Sequence, residues 1–179
     1  MRVVTMLIPF LLGACASSHP GIDRTADQTV RVFGPGGGQV RMTSSEAAGT
    51  VALGYPIDQS WAALKAVFDS LEIPRDNLDD VSHVIGHSGA KVHRVIGRVP
   101  LVRIIDCGST QGTPSAETYE VQIAVLTHLT PKGSGTEMTT TVEAVGRPMA
   151  FSSEYVRCST KGVLERTLVD ATKARLAAR

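Results

Sequence analysis

The sequence contains three cysteines, whose thiols can act as nucleophiles, metal ligands or disulfide partners. Cys158 lies in the stretch YVRCSTKGVLE (155–165), among small hydroxylic residues and ahead of a glycine and a helix-like run. A catalytic thiol needs a base held beside it, and no local motif brings a histidine to Cys158 or to Cys107. The sequence also lacks a C-x-x-C pair, which disfavours a redox enzyme. The choice between a reactive and a structural thiol therefore depends on the compartment in which the chain resides.

His83, His87 and His93 form a candidate zinc-binding set, because imidazole nitrogens are common zinc ligands. His83 and His87 share a face if one strand runs through both, but Gly86 is expected to interrupt that strand. No carboxylate or cysteine is placed to complete a tetrahedral set. We therefore expect these histidines to be exposed in turns, and we predict no metal site.

Two other stretches have the composition of functional sites without the spacing. The acidic stretch 76–80 lacks the glycine and the final glutamate of a calcium-binding loop. The hydroxyl-rich stretch near the last helix has no G-x-S-x-G or S-x-x-K motif. Its members are Ser153, Ser159, Thr160, Lys161 and Glu165. Capping of the last helix by Ser159 or Thr160 explains this stretch more simply, so we expect that the protein is not an enzyme.

The N-terminal residues have the pattern of a secretory signal peptide. Arg2 supplies a positive charge, residues 3–12 form an apolar stretch too short for a membrane-spanning helix, and small residues follow. The sequence LGAC (12–15) resembles the lipobox of bacterial lipoproteins. This resemblance implies cleavage after residue 14 and a covalent diacylglycerol and N-acyl lipid on Cys15. We expect no other cofactor.

The lipid would anchor the chain to a bacterial membrane. Several acyl chains bind a membrane stably, whereas a single chain binds it only marginally. Residue 16 is Ala and not Asp, which is similar to the sorting pattern of enterobacterial lipoproteins destined for the outer membrane. The resemblance therefore implies an outer-membrane lipoprotein that faces the periplasm.

Export also bears on the remaining cysteines. If Cys15 carries lipid, Cys107 and Cys158 are left as an even pair in an oxidising compartment, which favours a disulfide. Such a bond would close a loop of about 50 residues and stabilise the fold by roughly 4 kcal/mol in the chain-entropy model.

Charge and aromatic content disfavour nucleic acid as a partner. Lys and Arg number 18 and Asp and Glu 17, and removal of the signal peptide takes one cation, Arg2, so the mature charges balance. No polybasic run favours electrostatic binding to lipid headgroups. Aromatic residues make up only 4%, which disfavours a surface on which bases or sugars stack.

Three segments are expected along the chain: a signal peptide (1–14), a lipidated cysteine with a flexible tether (15–49), and a domain (50–179). The tether is small and polar at first, and then two alternating runs flank a glycine-rich stretch, which is compatible with a hairpin. A phosphate-binding loop is disfavoured because no Gly-Lys-Ser/Thr follows the glycines.

The domain is predicted to begin with a strand at Val51–Leu53 and a helix after Pro56 that Asp58 is placed to cap. Apolar residues recur on one face of this helix at the 3.6-residue spacing. They are Ile57, Trp61, Leu64, Phe68 and Leu71. Trp61, Leu64 and Phe68 are candidates either for core packing or for lining a ligand cavity.

Strands are predicted next at 81–85 and 92–107, separated by a turn at 86–89. Apolar and polar residues then alternate along 119–129 and 138–144. This alternation predicts an antiparallel hairpin with one buried and one solvent-facing side. A helix over about 160–178 follows. The order predicts an α+β fold, with one curved antiparallel sheet and two helices packed on one face (β-α-β-β-β-β-α).

The lipobox, the polar tether and a domain entered by YPIDQSWAALKAVFDSLEI (55–73) together resemble outer-membrane lipoproteins with helix-grip domains. The C component of the β-barrel assembly machinery (BamC-like) is an example of that class. The resemblance covers residues 50–178 as topology and 51–90 as sequence. It implies a non-catalytic domain that binds other proteins, and Cys107 and Cys158 depart from its pattern.

Two functional hypotheses follow. The first is a lipid-anchored binding or scaffold protein, an accessory subunit of an envelope complex whose partners are other envelope proteins. The second is a carrier of a small apolar ligand, held in a cavity between the sheet and a helix. A carrier needs a cavity that Trp61, Leu64 and Phe68 line without filling, whereas a scaffold has that space packed.

Overall fold

The computed structural model describes residues 27–33, 39–45, 50–149 and 154–178, and these form an α+β fold with antiparallel strand pairs. The strands are β1 (Asp27–Phe33), β2 (Gln39–Ser45), β3 (Thr50–Leu53), β4 (Asn77–Asp79), β5 (Val84–Val92), β6 (Val95–Ile96), β7 (Val99–Pro100), β8 (Ile105–Asp106), β9 (Ser109–Thr110), β10 (Thr113–Pro114), β11 (Tyr119–Lys132), β12 (Gly135–Pro148) and β13 (Val156–Thr160). The helices are α1 (Ile57–Ser70), α2 (Leu101–Ile104), α3 (Ser115–Thr118) and α4 (Val163–Ala177).

The main sheet has seven strands, in the order β4-β5-β11-β12-β13-β8, and β3 pairs with β12 beside β13. Its centre is the long hairpin of β11 and β12, which pair from Tyr119 opposite Pro148 to Lys132 opposite Gly135. On the far side of β12, β3 pairs with Thr136–Thr139 and β13 with Ala144–Gly146. The pairs β1-β2, β6-β7 and β9-β10 are separate two-stranded sheets.

The predicted hairpin and its two faces are confirmed. Apolar residues at alternate positions point to one side of a strand, so Val121, Ile123 and Val125 share a side and are fully buried. On β12, Met138 and Thr140 face the same interior. The hydroxyls of Thr127 and Thr140 lie opposite each other and form a 3.0 Å hydrogen bond, so the polar groups buried in this ladder are satisfied.

The helices α1 and α4 pack against each other and against the same side of β11 and β12. The apolar stripe of α1 is buried there, with Leu64 and Phe68 fully covered. The matching residues of α4 include Leu164 and Leu168, which are also fully covered. The interior is therefore a helix layer on one face of the sheet, as the sequence indicated. Among the described residues, no helix combines the length and the apolar composition that crossing a membrane requires.

Several local predictions were wrong. Residues 81–85 were expected as a strand and 86–89 as a turn, but the turn comes first, at 80–83, and the strand β5 runs from Val84 to Val92. Gly86 does not break this strand, because it lies at a crowded position opposite Leu126 where β5 meets β11. Three residues of the acidic stretch 76–80, Asn77–Asp79, form the edge strand β4.

The segment 92–107 is not one interrupted strand. It contains the small hairpin β6-β7, one turn of helix at α2 and the short strand β8. The β-branched residues that suggested a strand are used for burial instead, since Ile104 and Ile105 are almost completely covered. Tertiary packing has overridden local strand propensity here.

The helix ends also differ from expectation. Pro56, not Asp58, precedes α1, and Asp58 lies in its first turn. Residues 156–160 form the strand β13, so α4 begins later than expected, after Gly162 in the left-handed conformation. Thr160 does not cap α4 directly. Its hydroxyl accepts a hydrogen bond from the N–H of Gly162 and donates one to Glu165.

Candidate functional site

The sheet face opposite α1 and α4 carries the strongest candidate site in the described part of the chain, and we call it the open face. On β11 it presents Gln122 and Ala124, and on β12 it presents Glu143 and Val145, which lie directly opposite them in the ladder. Arg157 on β13 pairs with Val145 and extends this surface sideways. These five residues are half-buried or exposed, whereas their neighbours along β11 and β12 are buried in the core.

A β-bulge shapes the open face. Ile123 pairs with Ala90 and Val125 with His87, so two residues of β5, Ser88 and Gly89, lie opposite the single residue Ala124. An extra residue on one strand bends it and increases its twist, and bulges often occur beside binding sites. Since Ser88 and Gly89 are exposed, the bulge opens the surface at this point instead of adding to the core.

The result is a depression of about 340 Å³ on the open face. Small residues, Gly89 and Ala124, lie in it, and longer side chains border it. A Cβ atom built on Gly89 would meet nothing within 4 Å, which shows that open space adjoins the bulge. The bordering side chains are Gln122, Glu143, Val145 and Arg157. Gln122 offers an amide, Glu143 a carboxylate and Arg157 a guanidinium, whereas Val145 is apolar.

A polar cluster lies beside the depression and is centred on Glu120. The Tyr155 hydroxyl donates to Glu120 Oε1 at 2.9 Å and accepts from the Gln122 amide at 3.0 Å. Arg147 lies 3.0 Å from Glu120 Oε1 and stacks over the Tyr155 ring at 5.0 Å. The hydrogen bond from Tyr155, helped by Arg147 and Lys91, lowers the pKa of Glu120. The cluster fixes Gln122, which also borders the depression.

The structure joins Cys107 to Cys158, as the sequence predicted, across a separation of 51 residues. Both sulfurs lie in the core, since the two residues are 5% and 6% exposed. They pack on Gly146, where an added Cβ would come within 3.5 Å of each sulfur. The bond ties β13 to the residue that follows β8, and it leaves no free thiol at Cys158 for nucleophilic chemistry.

Trp61, Leu64 and Phe68 belong to the core and do not border a described cavity. Trp61 is 6% exposed, and Leu64 and Phe68 are 0% exposed. The Trp61 indole N–H donates to Asp80 Oδ1 at 2.7 Å, and Lys65 bonds the same oxygen at 2.8 Å. Both hydrogen bonds lower the pKa of Asp80, and the one from Lys65 has the larger effect.

The histidines do not converge on one point. His83 lies edge-on to the Trp61 ring, with 5.4 Å between ring centroids. His87 is half-buried within β5, where its Nδ1 accepts a hydrogen bond from the N–H of Gly89. His93 is exposed. The prediction that all three histidines are exposed in turns was therefore wrong for His87, which is half-buried in a strand. Among the described residues, no three His, Cys, Asp or Glu side chains are grouped as a metal site would require.

The acidic stretch has local structural roles. Asp76 accepts hydrogen bonds from the hydroxyl and the N–H of Ser88, which lower its pKa. Asp79 accepts from the N–H groups of Ser82 and Val81, which lower its pKa and close the turn before β5. Each carboxylate therefore points to its own neighbours and not to a common centre.

Glu165 is a feature that the sequence did not reveal. It lies in the first turn of α4, where the helix dipole favours a carboxylate, and its side chain is buried, with 5% exposure. Its Oε1 accepts the Thr160 hydroxyl at 2.7 Å, and its Oε2 has no hydrogen-bond partner among the described residues. Burial raises the pKa of this carboxyl. No periodic signal distinguishes a buried glutamate from an exposed one in a helix of mixed polarity.

Two other residues of the hydroxyl-rich stretch also have structural positions. Lys161 Nζ donates a hydrogen bond to the carbonyl of Val102 at 2.7 Å, and Ser159 is 9% exposed in β13. They are not arranged around a nucleophile. Cys15 and Ser153 lie outside the described residues.

The depression itself depends on a bulge and on residues more than sixty positions apart, such as Ser88 and Arg157, which only the folded sheet brings together. Comparison with protein-family models and with curated proteins finds no match for the chain.

Proposed function

We propose that this protein is a lipid-anchored outer-membrane lipoprotein that faces the periplasm and binds or scaffolds other envelope proteins. The resemblance of residues 12–15 to a lipobox supports the anchor on Cys15. The bonded pair of Cys107 and Cys158 supports export, because disulfides persist in oxidising compartments. We further propose that the domain is helix-grip-like. The sequence order β3-α1 at its start and β13-α4 at its end, with both helices on one face, supports that arrangement.

The observation that carries the binding role is the contrast between the two sides of the sheet. On the helix side, the space between sheet and helices is filled. On the open face, a depression is lined both by apolar residues, such as Ala124 and Val145, and by the charged side chains of Glu143 and Arg157. A surface of this mixed polarity contacts a partner protein from outside and does not enclose an apolar ligand.

The same contrast argues against the carrier hypothesis. A cavity large enough for an apolar ligand leaves accessible surface on the side chains that line it. Leu64 and Phe68 have none, and Trp61 has 6%. The helix stripe therefore supports packing, and the ligand cavity that the carrier requires finds no support there.

Fractionation and labelling test the anchor. Wild-type protein and Cys15→Ala are expressed in a bacterium supplied with radiolabelled palmitate, and membranes are separated by density. We expect label and outer-membrane fractionation for the wild type only, with Cys15→Ala unprocessed or released from membranes. A Cys15→Ala variant that is cleaved and fractionates normally would contradict the proposal.

Photo-cross-linking tests the binding role. A photoreactive amino acid replaces Ala124 in the depression or, as a control, the exposed Arg175 on α4. Irradiated membranes are then analysed for both proteins and extracted lipids. Envelope proteins attached through position 124 but not 175 support the proposal. Co-purified lipid without protein adducts would favour the carrier instead.

A further inference from the structure

Two charged side chains at the depression have no ionic partner in the described part of the chain. Glu143 and Arg157 are both exposed, and neither belongs to an ion pair there. The neighbouring cations Lys91 and Arg147 are already paired with Glu120. The depression thus presents one carboxylate and one guanidinium that are available to a ligand.

The sheet fixes the spacing of these two charges. Arg157 pairs with Val145, and Glu143 lies two residues before Val145 on the same face of β12. Glu143 and Arg157 are therefore diagonal neighbours, whose Cβ atoms lie about 7–8 Å apart in an antiparallel sheet. Side chains two positions apart in an extended peptide emerge on one side with a spacing of about 7 Å. The two spacings match.

The backbone of β12 runs beside these charges. On the side of β12 away from β11, residues 136–139 pair with β3 and 144–146 pair with β13. Residues 140–143 between them pair with no described strand on that side. The depression extends to these residues, since Val142 and Glu143 are among those that line it.

We infer that the depression binds an extended peptide segment of a partner protein that carries an acidic and a basic side chain two positions apart. The acidic side chain pairs with Arg157 and the basic one with Glu143, and the small residues Gly89 and Ala124 leave open space beside Glu143. This inference rests on the proposed function, in which the partner is an envelope protein.

The test uses the purified mature chain and synthetic peptides. One seven-residue peptide has glutamate and lysine two positions apart in a threonine and valine background, and its control has glutamine at both positions. Binding is followed by amide chemical shifts in NMR spectra. We expect shifts confined to the residues around the depression. Affinity for the charged peptide should be about tenfold higher, since the control forms neither charge pair.

A charge-swap experiment sharpens the test. Single variants Glu143→Lys and Arg157→Glu should each weaken binding by about tenfold, because attraction becomes repulsion. The double variant should prefer a peptide in which lysine and glutamate are exchanged. Arg175→Glu, which changes an exposed charge on α4, should bind as the wild type does. Both variant positions are exposed, so neither substitution should unfold the chain. The same spectra check that each variant remains folded.

Four results would overturn the inference: equal affinity for both peptides, shifts that map to the helices, a swapped double variant that keeps the original preference, or no shift at about 1 mM peptide. A photo-cross-link from position 124 to residues 16–49 of the same chain would also overturn it, because the occupant would then be the protein itself. None of these results affects Cys15 labelling, so failure of the inference is distinguishable from failure of the anchor.

Discussion

Burial of Glu165 couples the stability of the fold to pH. Burial raises the pKa of this carboxyl above its ordinary value of 4.5, while the hydrogen bond from Thr160 offsets part of the effect. Below pH 4.5 the group is protonated in both folded and unfolded chains. As pH rises further, the unfolded chain releases its proton first, which favours unfolding. The contribution of Glu165 to stability is therefore lost as pH rises through the raised pKa of the folded protein.

Glu165→Gln should remove this dependence, because an amide carries no charge at any of these pH values. We expect the variant to gain melting temperature relative to the wild type at pH 7, and the gain to shrink towards pH 4. Thermal unfolding across this range is the measurement. The exposed Glu117→Gln serves as the control and should show no such trend. A constant difference between Glu165→Gln and wild type at all pH values would contradict the argument.

Phe68 tests the packing of the helix layer at the same scale. Its side chain is fully buried, so Phe68→Ala removes apolar contacts and leaves a cavity. The free energy of unfolding should fall by about 3–5 kcal/mol, as measured by urea denaturation. Gln59→Ala on the exposed side of α1 should change it by less than about 0.5 kcal/mol. Equal small effects would mean that the interior is loosely filled and would revive the carrier hypothesis.

At the scale of elements, the long hairpin was predictable and the bulge was not. Alternation along residues 119–129 and 138–144 continues long enough to define strand type, buried face and partner. The bulge at Ser88 and Gly89 depends on how β5 meets β11, a contact between distant residues. Glycines near 86–89 were interpreted as a turn because local sequence does not distinguish a turn from a bulge.

Gly86 and Gly89 provide a matched pair for testing this strand. A Cβ on Gly86 would lie 2.0 Å from the carbonyl oxygen of Val125, whereas one on Gly89 would meet nothing within 4 Å. Gly86→Ala should therefore lower the free energy of unfolding by about 1–3 kcal/mol, because β5 must move away from β11. Gly89→Ala should change it by less than about 0.5 kcal/mol. Comparable losses in both variants, measured by urea denaturation, would show that β5 and β11 are not paired in this register.

For the whole molecule, the sequence predicted the layers but not the arrangement of strands within the sheet. The α+β class and the placement of both helices on one face follow from amphipathic patterns, such as the stripe ending at Leu71. The joint pairing of β3 and β13 with β12 does not, since it joins residues about ninety positions apart, as in Thr50 with Thr139. The open face combines β5, β11, β12 and β13 and was inaccessible to local patterns for the same reason.

The disulfide acts at this same scale, because it closes a loop that contains the central hairpin β11-β12. Closing a loop with a separation of 51 residues reduces the conformational freedom of the unfolded chain. The chain-entropy model gives a stabilisation of about 4 kcal/mol for a loop of this size.

Changing Cys107 and Cys158 together to serine should therefore lower the free energy of unfolding by about that amount in urea denaturation. A reducing agent should destabilise the wild type similarly and leave the double variant unchanged. Peptide binding at the depression should survive in the folded variant, because neither sulfur offers a charge to the ligand. Alkylation of denatured, unreduced protein is the direct measurement, and two freely alkylated thiols would show that Cys107 and Cys158 are not bonded.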